Sequence, residues 1–235
     1  DALRLVLPDH PDDEFFAAGA PWFFTLFGRD SIWAARLALP LDREIAASTL
    51  RVLARLQGAD DDAQTAQEPG KILHELRASA LEIPGEGIVL PPKYYGSVDS
   101  TPLWICLLAD ARRAGMPGAE VRELLPTLRG ALGWIRDSGD SDGDGFLDYI
   151  DRMGTGLSNQ GWKDSGDSIQ WRDGSLAEGP IALCEVQAYA YEAALAGADL
   201  LEEFGEGADA DDAAFWRDWA ADLKERFAAT YWVET

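Results

Sequence analysis

The chain is short of positive charge. Its 235 residues hold 20 lysines and arginines against 42 aspartates and glutamates, a formal net charge of −22. That shortage excludes nucleic acid as a partner, because phosphates would meet a surface with twice as many acids as bases. It also disfavours anionic membranes and acidic ligands, leaving neutral or cationic partners. No run of about 18 apolar residues occurs, which excludes a membrane-spanning helix. Cysteine is scarce too, with Cys106 and Cys184 alone. Both lie in apolar helical contexts and read as buried thiols in a reducing compartment, hence a cytoplasmic protein. No secretory leader is visible at Asp1, and there is no initiator methionine, so the chain reads as a trimmed piece of something longer. Sustained period-two alternation is missing, which argues against a substantial sheet, and no repeat of fixed period is found.

What is present is an ordinary apolar fraction of 47%. A chain of this length can bury roughly 70% of its unfolded surface. Apolar spacing predicts seven helices, over residues 30–40, 42–56, 71–81, 100–114, 117–137, 181–204 and 211–232. Asp30 and Asp42 stand where helix caps belong, and Pro102 fits a first turn. The clearest stripe is Val121, Leu124, Leu125, Leu128, Leu132 and Ile135. Residues 84–96 hold six Pro and Gly breakers and read as a loop or hairpin. The reading is an all-α chain in a single domain, its helices paired as hairpins around long, motif-rich loops. The longest loop runs over 138–179, and loops of that length in a compact domain are usually functional. Nine Trp, nine Phe and six Tyr complete the picture, many of them beside Gly, Asp and Pro, where they suit stacking on flat ligands or sugar rings, or anchoring loops in the core.

The strongest local spacing is DSDGDGFLDYID, residues 140–151. Asp140, Asp142 and Asp144 take positions 1, 3 and 5 of a twelve-residue calcium loop, with Gly145 at the turn. Phe146 would offer its carbonyl at position 7, Asp148 its carboxylate at 9, and Asp151 falls at 12, where a longer Glu is usual. Carboxylates so close repel by ~1 kcal/mol per pair even at a water-like dielectric, which a cation would relieve. A structural Ca²⁺ clip fits better than a sensor, because Gly154, Gly156 and Gly161 interrupt any helix after the loop.

Five further segments carry chemistry. FGRDS holds Arg29 and Asp30, a fork for vicinal hydroxyls, with Trp22, Phe24 and Trp33 nearby. EPGKILHELR holds Lys71, His74, Glu75 and Arg77, with His74 read as structural. YYGSVDSTPLW contributes Tyr95 and Asp99. GLSNQGWKDSGD packs Asn159, Gln160, Trp162, Lys163, Asp164 and Asp167 between glycines. CEVQAYAY opens a helix with Glu185. A carboxyl beside an indole can be held protonated by desolvation and act as a general acid. Glycoside hydrolysis needs such an acid and a second carboxylate. All five segments are expected at loop-to-helix junctions converging on one rim.

In this order, FGRDS, EPGKILHE, YYGSVDSTPLW, GWKD and EVQAYAYEA resemble the catalytic domain of bacterial glycogen-debranching, amylo-α-1,6-glucosidase-like proteins, from about residue 18 to 232. The resemblance implies an (α/α)6 barrel of the six-hairpin glycosidase type, incomplete in this chain, and hydrolysis with inversion of α-1,6-branched or short α-glucans. It implies Asp164 as general acid, with Asp167 as a second candidate because Lys163 intervenes after Trp162. Arg29 and Asp30 would hold the terminal glucose, and Trp33, Tyr95, Asp99, Gln160, Trp162 and Glu185 would line the site. The general base would come from a segment after Thr235 or from Glu185, and a β-rich domain would precede the barrel. Calcium loops occur in such relatives, and no organic cofactor is implied. The rival readings are a non-catalytic glucan-binding module and a calcium-dependent interaction protein.

Overall fold

The computed structural model describes residues 3–83, 85, 87–163 and 165–233. Among them are six helices and seven short strands: β1 (Arg4–Leu7), β2 (His10–Phe16), β3 (Leu26–Phe27), α1 (Gly28–Ala38), α2 (Glu44–Arg55), β4 (Glu75–Leu76), β5 (Leu81–Ile83), β6 (Ile88–Leu90), β7 (Lys93–Tyr94), α3 (Ser100–Arg113), α4 (Gly118–Asp137), α5 (Cys184–Phe204) and α6 (Asp209–Thr230). The molecule is mostly helical, with three small antiparallel sheets ordered β1-β2, β3-β4-β7 and β5-β6. No helix among the described residues is long and apolar enough to cross a membrane.

The helices start and stop for local reasons. The Glu44 N–H donates to the Asp42 carboxylate at 3.0 Å, so Asp42 supplies the capping oxygen foreseen for α2. Pro102 sits in the first turn of α3, where a missing N–H costs nothing. Gly115 follows α3 with φ 104°, a left-handed turn that glycine adopts without a side-chain clash. In α4 the whole stripe from Val121 to Ile135 is buried. Pro126 lies on the opposite, exposed side of the same helix. Helix α5 buries alanines at 190, 193, 194, 196 and 198, which lets its neighbours approach closely. A Cβ on Gly197 would stand 2.9 Å from Leu132 of α4.

The odd-numbered helices pack in a row, α1 on α3 and α3 on α5, and the even-numbered helices flank them as α1–α2, α3–α4 and α5–α6 pairs. Helix α3 is central, touching α1, α2, α4 and α5, and most of its residues are buried. Its Trp104 donates an indole N–H to the Leu50 carbonyl of α2 at 3.2 Å. One apolar cluster runs from Phe15 through α3 to Leu223 of α6.

Two expectations fail here. Residues 71–81 are not a helix: Glu75 and Leu76 form the middle strand between β3 and β7, with Glu75 opposite both Phe27 and Tyr94. The local pattern at Ile72, Leu73 and Leu76 looks helical, but pairing with strands distant in sequence decides the conformation. The segment therefore sits at a sheet, not at a loop-to-helix junction. Of the two thiols, Cys106 is buried as expected, whereas Cys184 is exposed at the start of α5.

Candidate functional site

The site is built around Arg29, in the first turn of α1 and 7% exposed. Its Nε lies 3.3 Å from Oδ2 of Asp99, and its Nη1 donates to the Gly161 carbonyl at 2.5 Å. Asp99 precedes α3 and is 1% exposed, and its Oδ1 accepts the Ser97 hydroxyl at 2.7 Å. Burial raises the Asp99 carboxyl above the usual aspartate range, while the Arg29 charge and the Ser97 bond oppose that rise. The Val98 N–H donates to the Gln160 carbonyl at 3.0 Å, so the 159–161 loop is fixed to the start of α3 as well as to α1. Gly161 has no room for a side chain, since a Cβ would meet Leu183 at 2.3 Å.

The start of α1 is also pinned to β4. The Gly28 N–H donates to the His74 carbonyl at 2.7 Å, and a Cβ on Gly28 would stand 2.0 Å from the Leu73 carbonyl oxygen. Beside this junction opens a cleft of about 310 Å³, lined by Phe23, Phe27, Arg29, Asp30, His74 and Arg77 among others. That volume is at the lower end of the usual range for small-molecule sites. His74 is 6% exposed and its ring meets Phe27 and Tyr94 edge-on at 5.8 and 6.0 Å. Burial, then the charges of Arg29, Arg77 and Lys71, holds the imidazole down to about 3, so it is neutral at pH 7. Its Nδ1 has no hydrogen-bond partner, and neither has the buried Nε of Arg77. An Nη of Arg77 pairs with Glu75 at 2.7 Å, and the guanidinium stacks 4.5 Å from the Phe23 ring centroid.

The structure distributes the remaining sequence-derived candidates unevenly. Asp30 lines the cleft. Trp33 packs edge-on against Tyr189 at 5.9 Å, with Arg36 5.0 Å from its ring centroid. Tyr95 is fully buried and donates to the Leu56 carbonyl at 2.6 Å, which makes it a core residue and not a contact surface for a ligand. Gln160 is buried, its carbonyl accepting from Val98 and its side-chain amide donating to the Ile150 carbonyl at 3.4 Å. Trp162 is 56% exposed under the Lys163 ammonium. Asp167 is exposed, with its carbonyl accepting from Gln170. Asp164 lies outside the described residues. Asn159 organises the loop around these positions: it accepts the Tyr149 hydroxyl at 2.5 Å and donates to the Ser165 carbonyl at 2.7 Å and to the Ser168 hydroxyl.

Glu185 occupies the first turn of α5, and its buried Oε1 has no hydrogen-bond partner. Tyr189, one turn further on, is raised by burial, then by the charges of Asp99 and Glu185, so its phenol lies within the field of both carboxylates. His74 and Arg77 are the cleft residues that sequence reasoning undervalued. Their segment stood out by composition, but their approach to Arg29 depends on strand pairing that spacing does not reveal.

The acidic loop gathers only part of its foreseen ligand set. One oxygen each from Asp140, Asp142 and Asp148 lies within 4.8 Å of the others. That trio does not include Asp144, whose carboxylate accepts the Phe146 N–H at 2.9 Å, or Asp151, which accepts from Met153 and Gly156 at 3.1 and 2.8 Å. Asp140 accepts the Gly143 and Gly145 N–H groups at 2.7 and 2.8 Å. Asp148 accepts Ser141 N–H and hydroxyl at 2.9 and 2.6 Å. Burial raises the Asp148 carboxyl, Ser141 opposes this, and Asp142 and Asp140 raise it further. Three converging hard oxygens suit a divalent cation of the calcium type, with the rest of its shell left to carbonyls and water. No family model matches the chain, and no curated protein matches it.

Proposed function

We propose that the chain carries the saccharide-binding and acid-bearing part of an inverting glycoside hydrolase, acting on α-1,6-branched or short α-glucans. One observation supports this most directly: Arg29 pairs with Asp99 and reaches the Gly161 carbonyl, 132 residues further along the chain, beside a cleft of saccharide size. The backbone just before Trp162 is thereby anchored to Arg29. In this reading Asp30 and Arg29 hold hydroxyls of the terminal sugar, and the aromatic wall of Phe23 and Phe27 takes its apolar face. Asp164 protonates the leaving oxygen, with Asp167 as the alternative. Glu185, whose free oxygen shares the field of Tyr189 with Asp99, is the candidate base within the chain. Inversion requires the two carboxyls to stand ~6.5–9.5 Å apart, leaving room for water. The row of odd helices flanked by even ones is compatible with part of an (α/α)6 barrel. The protein is read as cytoplasmic, with Ca²⁺ held at Asp140, Asp142 and Asp148 as a structural clip and no organic cofactor.

The test is glucose release from isomaltose, maltotriose and a branched dextrin, by wild type and by Asp164→Asn. The expected result is release by wild type, abolished in the variant while saccharide-dependent quenching of tryptophan fluorescence persists. Quenching without release by wild type would favour a non-catalytic glucan-binding module. Neither signal would overturn the reading. Calcium is tested separately: millimolar CaCl₂ should raise Tm in wild type and not in Asp148→Asn.

A further inference from the structure

We infer that His74 is a ligand-binding residue of this cleft, hydrogen-bonding through its neutral imidazole to a hydroxyl of an uncharged saccharide, and that the cleft selects against anionic sugars. The inference rests on the saccharide reading above and adds a residue and a selectivity to it.

The first argument is hydrogen bonding. A buried polar atom is normally paired, and one left unpaired costs about 1–3 kcal/mol. Two lie at this cleft, His74 Nδ1 and Arg77 Nε. The two residues flank β4, which is paired to β3 and β7, their backbone N–H groups donate to the Tyr94 and Pro92 carbonyls, and the His74 ring meets Phe27 and Tyr94 edge-on. The protein thus holds an imidazole rigidly at a cavity wall without completing its hydrogen bonds. A neutral imidazole both donates and accepts, and so matches a hydroxyl, which does the same.

The second argument is charge. A chain of net charge −22 would by itself repel any anion. At the cleft the balance is different. Among the described residues its lining carries two arginines, Arg29 and Arg77, and two acids, Asp30 and Glu75. Both arginines are already committed, Arg29 to Asp99 and Arg77 to Glu75. Each arginine here already has a carboxylate neutralising its charge, so a phosphate or uronate would compete with carboxylates in place. Phe23, Phe27, Leu81, Ile83, Leu90 and Leu157 supply the remaining, apolar wall. Polar floor, apolar wall and balanced charge together describe a pyranose with one hydroxyl-rich edge and one C–H face.

The experiment is calorimetric titration of wild type, His74→Phe and His74→Asn with isomaltose and with glucose 6-phosphate. Phenylalanine preserves the edge-on stack with Phe27 and Tyr94 and removes only the nitrogens; asparagine restores a donor and an acceptor. Thermal unfolding establishes that each variant is folded. The inference expects wild type to bind isomaltose, His74→Phe to bind at least about tenfold more weakly, His74→Asn to recover part of the loss, and glucose 6-phosphate to bind more weakly than isomaltose. Unchanged isomaltose affinity in folded His74→Phe overturns it, as does tighter binding of the phosphate. If His74→Phe does not fold, His74→Leu takes its place, and unchanged isomaltose affinity in that folded variant overturns the inference equally. Binding that depends on His74 without glucose release upholds the inference while removing the hydrolase reading. Wild type that binds neither probe removes both.

Discussion

At the scale of single residues, the molecule concentrates buried charge where the function is proposed. Arg29 and Asp99 are side chains 8% and 1% exposed, and each is the other's main compensation. Arg29→Met leaves Asp99 buried without its partner and also frees the Gly161 carbonyl. The expected loss is about 3–5 kcal/mol of unfolding free energy, read by urea denaturation; a loss below about 1 kcal/mol would mean the pair is not buried as described. His74 gives a pH dependence whose sign is fixed. Its native value, about 3, lies below the free value of 6.5. As pH falls from about 6.5 toward 3, the unfolded chain takes up a proton that the native chain refuses. Stability is lost over that window at up to about 1.4 kcal/mol per pH unit, and the full contribution is present above it. Asp99 works in the other direction, because its raised value makes the native state lose stability as pH rises through it. The difference between wild type and His74→Phe isolates the histidine: it should grow steadily more favourable to the variant on going from pH 7 to 4. Parallel profiles would show an imidazole that titrates normally.

At the scale of elements, the decisive contact is the seating of α1 on β4. Gly28 is required there because a Cβ at this position would stand 2.0 Å from the Leu73 carbonyl oxygen. Gly28→Ala should therefore separate helix from strand, lowering stability by about 1–3 kcal/mol and weakening saccharide binding, both measurable on the same sample. Intact binding in the alanine variant would mean that the junction does not set the cleft. The same contact explains what was readable in advance. Helices α3 and α4 were legible because their signals are local: an apolar stripe at helical spacing and a first-turn Pro102. The three-stranded sheet was not, because its three strands are two residues each and come from positions near 26, 75 and 94. Two residues carry no periodicity. At the site, Arg29, Asp30 and Asp99 were recognisable by their loop-to-helix setting, while Tyr95 was mistaken for a contact because nothing local distinguishes a loop aromatic pointing inward from one pointing outward. The acidic loop was legible as a spacing, but which of its carboxylates converge was not, since backbone N–H groups hold those inside the trio and those outside it alike.

At the scale of the whole molecule, a net charge of −22 strains the compact state through self-repulsion. Added salt should relieve more of this than it weakens surface ion pairs, since those contribute little individually. Raising NaCl from about 20 mM to about 0.5 M is expected to increase Tm by about 2–4 °C, corresponding to roughly 1 kcal/mol for a chain of this size; a decrease would show that networks such as Arg51 with Asp13, Glu44 and Glu120 dominate. The two thiols differ in a way that is useful at the same scale. Cys106 is enclosed in α3, its Sγ 3.8 Å from the Tyr189 carbonyl, and burial pushes its thiol well above the ordinary value. Cys184 stands exposed at the first residue of α5, beside Glu185, and is raised by burial and by that carboxylate. Mildly alkaline maleimide chemistry should thus modify one position and spare the other. A single fluorophore installed there would sit next to Glu185, with no engineered cysteine and no mutation of the background.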